Sequence, residues 1–182
     1  MLSSDMRAVI QTAQLCFAAT VTPDGRPNLS PKGSIRVWDD THLFFLDIAS
    51  PGTRTNLTHT PWLEINVVDQ LSRRGYRFYG PAALHYEGSA VYAEATRRVY
   101  GEAGPPQPIP AVVLLTIERA TPVLSPAYWR LRDETAVREI WKERRPVLDR
   151  EFEAHLERVG PVRIDVPNDY REDDRDRAAS PS

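Results

Sequence analysis

The chain has 182 residues, a length that fits one domain with some peripheral helix. A hydrophobic fraction of 41% suffices for a packed core, and 26% charged residues with a net charge of -2 describe an ordinary polar surface. No basic excess points to nucleic acid or an anionic membrane face. No apolar run reaches the roughly 20 residues that span a bilayer.

Cys16 is the sole cysteine, so an internal disulfide is excluded and a thiolate metal site is not expected. The first residues lack the layout of a secretory leader, and a cytoplasmic protein is expected.

In chain order, Ser3-Ser4-Asp5 followed by Met6, Val9, Ile10 and Ala13 predicts a short capped helix. The β-prone run Leu15 to Thr22 leads into the turn Pro23-Asp24-Gly25-Arg26. A second strand runs from about Pro27 to Trp38. Pro31 and Gly33 inside it suggest an edge, a bulge or close approach by a ligand. His42 to Ile48 is a third strand. Short turns between these elements imply antiparallel pairing.

Ser50 then offers an N-cap and Pro51 a first helical residue, and Pro61 ends that helix. Trp62 to Asp69 alternates apolar and polar residues as a half-buried strand does, with Trp62 expected in the core. Tyr76 to Tyr86 is a fifth strand and Gly88 to Gly101 a helix. Ala111 to Ile117, extending toward Leu124, is a sixth strand.

The whole is mainly β with peripheral helices (α+β), a six-stranded antiparallel barrel over residues 1–124. Residues 125–167 form a largely helical extension that packs on the barrel or on a partner subunit. In it, Asp133 to Val159 is a charged helix that Pro146 must kink or split. Residues 168–182 are a polar tail expected to be disordered.

Chemistry concentrates between Ser30 and Asn56. Lys32 lies on a strand, while Ser50 caps a helix whose first-turn N–H groups lack partners, with Thr53, Arg54 and Thr55 beside them. Such a set can hold a phosphate, and Arg73-Arg74 could add charge. On spacing alone, a plain helix cap with a solvated Arg54 is the commoner arrangement. The four histidines are scattered without metal-ligand spacing, and no metal site is expected.

The ordered series Phe17 to Pro27, Ser30-Pro31-Lys32-Gly33, Leu43 to Asp47, Asn56-Leu57 ahead of Pro61, and Gly75 to Ala82 resembles the pyridoxamine-5'-phosphate-oxidase-like family of FMN-binding split β-barrels. The resemblance covers roughly residues 6 to 120. It implies a homodimer with FMN at the subunit interface. It also implies cofactor contacts from Lys32, Gly33, Ser34 and Ile35 on the second strand and from Ile48, Ala49 and Ser50 after the third. Thr53, Arg54 and Asn56 on the helix and Arg74 near the fifth strand complete the implied set.

Two departures matter. Where many members open the helix with Ser-Arg-Lys, this chain has Ser50-Pro51-Gly52-Thr53. It also lacks the closing Arg- and His-bearing motif of pyridoxamine-phosphate oxidases proper, so vitamin B6 oxidase activity is not expected. The resemblance thus implies an FMN-dependent oxidoreductase acting on a small molecule of unknown identity. The alternatives are an F420-dependent reductase of the same fold or a non-catalytic binder or carrier of a planar ligand.

Overall fold

The computed structural model describes residues 1–13 and 15–160. Its elements are α1 (Ser4–Ala13), β1 (Cys16–Val21), β2 (Pro27–Lys32), β3 (Arg36–Val37), β4 (His42–Asp47), α2 (Pro51–His59), β5 (Trp62–Asp69) and β6 (Arg74–His85). They continue with α3 (Ala90–Tyr100), β7 (Ala111–Thr116), β8 (Arg119–Leu124), α4 (Tyr128–Leu131) and α5 (Glu134–Val159). The polar tail from residue 168 lies outside the described residues.

All strand pairs are antiparallel, in the order β2-β1-β5-β6-β7-β4-β3, with β8 also on β6. The two strands at the ends of this path, β2 and β3, are consecutive in the chain. The sheet therefore rolls up and stays unpaired at one seam, and Gly33-Ser34-Ile35 crosses it. This is a split barrel. The run from Pro27 to Trp38 that reads as one strand changes partner there, from β1 to β4.

The other predicted long strand is interrupted differently. Ala82 pairs with Leu115, but Tyr79 pairs with Arg119, so the strand facing β6 carries one extra residue between β7 and β8. Such a bulge bends the strand and sharpens the twist. These two interruptions turn six predicted strands into eight.

Alternation along β5 puts Leu63, Ile65 and Val67 inside, where they meet Phe45, Phe78 and Leu115. Each such fully buried side chain contributes roughly 1.5–3 kcal/mol. A second cluster, Phe44, Leu46, Ala95, Ile109 and Val112, packs α3 against the outside of β4 and β7. Trp62 departs from expectation. At the start of β5 it points to the outer face, 38% exposed, and stacks on Tyr79 at 5.2 Å.

The extension is tied to the barrel at one corner. Arg74 binds Asp5 of α1 and Glu134 of α5, and Arg138 of α5 binds Asp69. Asp133 caps α5 by accepting from the Thr135 N–H. The helix runs unbroken through Pro146, and Val137 is its one buried residue. No described helix is long and apolar enough to cross a membrane.

Candidate functional site

The seam opens into a cleft of about 540 Å3. Its floor comes from Ser30, Lys32, Gly33 and Ser34, one wall from Ile48, Ala49 and Ser50, and the other from Val99 and Tyr100 of α3. At the seam Ser34 replaces the missing ladder: its hydroxyl accepts from the Leu46 N–H at 2.9 Å and lies 3.3 Å from the Leu46 carbonyl.

Ser30 and Lys32 share one face of β2 because strand side chains alternate. Lys32 is only 5% exposed. Its ammonium donates to Ser30 Oγ at 2.8 Å and to Ser50 Oγ, and lies 3.6 Å from Asp47 Oδ1. Ser50 spends no hydroxyl on capping α2, although it sits at the N-cap. Both serines accept from Lys32 and lie 3.1 Å apart, so one hydroxyl hydrogen can bridge them, and Ser50 also hydrogen-bonds the Asp47 carboxylate.

Asp47 is fully buried and shared between Lys32 and Arg54, whose Nη1 is 2.8 Å from Oδ2. Burial pushes the Lys32 ammonium below its ordinary pKa, with the Asp47 charge acting against that shift. Burial likewise pushes the Asp47 carboxyl up, opposed by Lys32 and Arg54. A cation that has lost its water gains from an arriving anion. Ammonium, serine hydroxyls and cleft-lining backbone fit a phosphate and a flat ring on donor chemistry.

Among the residues implied by the resemblance, Lys32, Gly33, Ser34, Ile48, Ala49 and Ser50 line this cleft together. The others are placed differently. Ile35 is fully buried, and its side chain joins the barrel core. Thr53 is 1% exposed beneath the first turn of α2, its Oγ1 without a partner. Asn56 is buried and donates to Thr20 Oγ1 at 2.9 Å, fastening α2 to β1. Arg54 reaches the site through Asp47 and does not line the cleft.

Arg74 is engaged elsewhere: its guanidinium is held by Asp5 and Glu134, and it does not line this cleft in its own subunit.

Ser30, Arg36, Asp47 and Tyr100 belong to the site or its base but were not singled out from the sequence. Two signals existed. Ser30 is two residues from Lys32 on a strand, and Asp47 is a lone acid closing the apolar run HLFFLD, which calls for a cationic partner. Tyr100 and Arg36 arrive through tertiary folding and had none. Among the described residues, no group of three or more His, Cys, Asp or Glu is placed to hold a metal. Cys16, pushed up to about 12 by burial, is an inert thiol.

The family profile described as pyridoxamine 5'-phosphate oxidase matches residues 2–124, from the N-terminus to the end of β8. The chain belongs to the pyridoxamine 5'-phosphate oxidase family. The solved structure of HupZ from Group A Streptococcus is 33% identical, with a TM-score of 0.60 over 69% of this chain and 96% of that one.

Two more distant structures share the family's fold. HutZ, the heme storage protein from Vibrio cholerae, is 18% identical with a TM-score of 0.54 over 68% and 94% of the two chains. An FMN-binding protein from Syntrophomonas wolfei subsp. wolfei is 14% identical with a TM-score of 0.51 over 66% and 90%. A search of curated proteins returned no match. Relatives that carry different ligands on one barrel leave the ligand of this family member to be argued from its own residues.

Proposed function

We propose that this chain is an FMN-dependent oxidoreductase of the cytoplasm that binds its cofactor in the seam cleft and works as a homodimer. The carrying observation is Lys32, a desolvated ammonium clamped by two serine hydroxyls in a cleft of about 540 Å3. Lys32, Ser30 and Ser50 would receive the phosphate. The strip from Lys32 to Ser34 and the strip from Ile48 to Ser50 would flank the ring.

FMN, when bound, supplies hydride acceptance and donation. The protein's part is to orient and to exclude water. Asp47 holds Lys32 toward the serines from behind, and Val99 and Tyr100 shield the cleft from the α3 side. Arg36 at the cleft wall carries positive charge that favours an anionic reduced ring.

A homodimer accounts for an apolar patch on the outer face of β1 and β2. Phe17, Val21 and Leu29 are 43%, 43% and 64% exposed, and the registers Phe17 to Pro31, Ala19 to Leu29 and Val21 to Pro27 place them side by side. Pro31 also lines the cleft, so a subunit covering this patch would border the cofactor.

The test is direct. Purified protein should be yellow or take up FMN at one per subunit, sediment as a dimer, and have its flavin reduced by a nicotinamide donor. Preference for F420 or for hemin over FMN would replace the cofactor assignment. Bound flavin that is never reduced would make the protein a carrier.

A further inference from the structure

A second cavity, of about 610 Å3, adjoins the cofactor cleft and has no part in the function proposed above. Three elements build it: Arg7, Ile10 and Gln11 from α1, Arg36 and Val37 from β3, and Arg98 from α3. Arg36 belongs to the walls of both cavities. Arg98 directly precedes Val99 and Tyr100, which line the cleft.

Each of the three arginines is pinned on one side and leaves donors unused. Arg98 donates from Nε to Glu94 and from Nη1 to the Trp38 carbonyl, and its guanidinium lies 4.3 Å from the Trp38 ring centroid. Trp38 is itself steadied edge-on against Phe44 at 5.6 Å. Arg7 uses Nη2 alone, on Asp40 and the Asp39 carbonyl. Arg36 donates from Nη1 to the Ile35 carbonyl and has no carboxylate partner among the described residues.

A cation in the last turn of α3 suits the helix dipole. The dipole does not explain why Arg98 is folded back on Trp38 toward β3, into the wall of a cavity that Arg7 and Arg36 also line. Asp40 and Glu94 offset Arg7 and Arg98, while Arg36 has no carboxylate, so the recess keeps an excess of positive charge that an anion would balance. Planar guanidinium forks held in place match the oxygens of carboxylate and phosphate.

We propose that this recess is an anion site that seats the carboxylate or phosphate head of a small organic substrate beside the cofactor cleft, with Arg36 at the junction. Only the word substrate rests on the flavin reading; anion binding by Arg7, Arg36 and Arg98 stands without it.

The test is calorimetric titration of the full chain with inorganic phosphate and, separately, with succinate, alongside a fluorescence titration with FMN. At least one anion should bind saturably, and the one that binds names the head group. Arg98→Gln and Arg7→Gln, which alter separate elements, should each weaken that binding about tenfold. Both should leave FMN affinity within about twofold and the circular dichroism spectrum unchanged.

Three results would overturn the site. Neither anion binds saturably; both variants bind the anion as the wild type does; or Arg98→Gln weakens FMN as much as the anion, which makes the recess part of the FMN seat. A protein that ignores FMN yet binds anions through Arg98 keeps the recess and removes the flavin reading.

Discussion

Gly80 of β6 lies against the carbonyl oxygen of Thr116, so closely that an added Cβ would sit 1.9 Å from that oxygen. The contact falls where the strand facing β6 carries its extra residue, between the registers Ala82 to Leu115 and Tyr79 to Arg119. The barrel turns its corner there, and the two backbones approach because no side chain stands between them.

Gly80→Ala should therefore cost about 3 kcal/mol or more, since the obstacle is backbone that cannot rotate away. Urea unfolding measures this. A variant within about 0.5 kcal/mol of wild type would show that the corner is not as tight as described.

Much of this architecture was legible in the sequence. The alternation of Leu63, Ile65 and Val67 and the Ser50-Pro51 pair at the start of α2 announce their elements through local pattern. Gly33 within a β-prone run announced an irregularity, though not that the chain changes partner strand at it, because a partner change leaves no local trace. Among the residues implied by the resemblance, Lys32 and Ser50 line the cleft, and in its own subunit Arg74 is engaged away from it. Its burden is set by Asp5 and Glu134, which lie 69 and 60 residues away in the chain. Trp62 was misassigned to the core because size and apolarity alone do not say which face of a strand a side chain takes.

The Arg74 corner should give way in acid. Hydrogen bonds from Arg74, and then from Tyr76, hold the Asp5 carboxyl below its ordinary range. A carboxyl whose folded pKa is depressed contributes fully above its unfolded value near 4 and loses that contribution as pH falls through the lower folded value. Asp5→Asn should destabilise the protein by about 1 kcal/mol at pH 7 and flatten the decline below about pH 4. Parallel urea curves for variant and wild type at pH 7 and pH 3 would remove Asp5 from that role.

Gly52 stands where many family members carry a cation. A Cβ there meets only Asn28 Nδ2, at 3.7 Å, so a larger side chain is tolerated. Gly52→Arg adds positive charge to the first turn of α2 and should raise FMN affinity about three- to tenfold. Equal affinities in a flavin titration would mean that the phosphate lies elsewhere.

Leu29→Glu puts a charge into the exposed apolar face of β2. Sedimentation velocity should show the variant as a monomer and the wild type as a dimer, with weaker FMN retention because Pro31 joins this face to the cleft. A variant that stays dimeric would move the interface to another surface.

Lys32 should also make binding pH-dependent. Its ammonium pKa is lowered by burial, so its charge is lost at a lower pH than for an exposed lysine. FMN affinity should fall as the solution is made alkaline, while riboflavin, which has no phosphate, should follow a flatter profile. A flat profile for FMN up to pH 10 would argue against an ammonium at the phosphate.

The most direct measurement compares FMN with riboflavin by fluorescence titration in the wild type and in Lys32→Met. The wild type should prefer FMN by about tenfold or more, and the substitution should erase most of that preference while riboflavin binding changes little. If Lys32→Met discriminates between the two flavins as well as the wild type does, the buried lysine at the seam is not the seat of the phosphate.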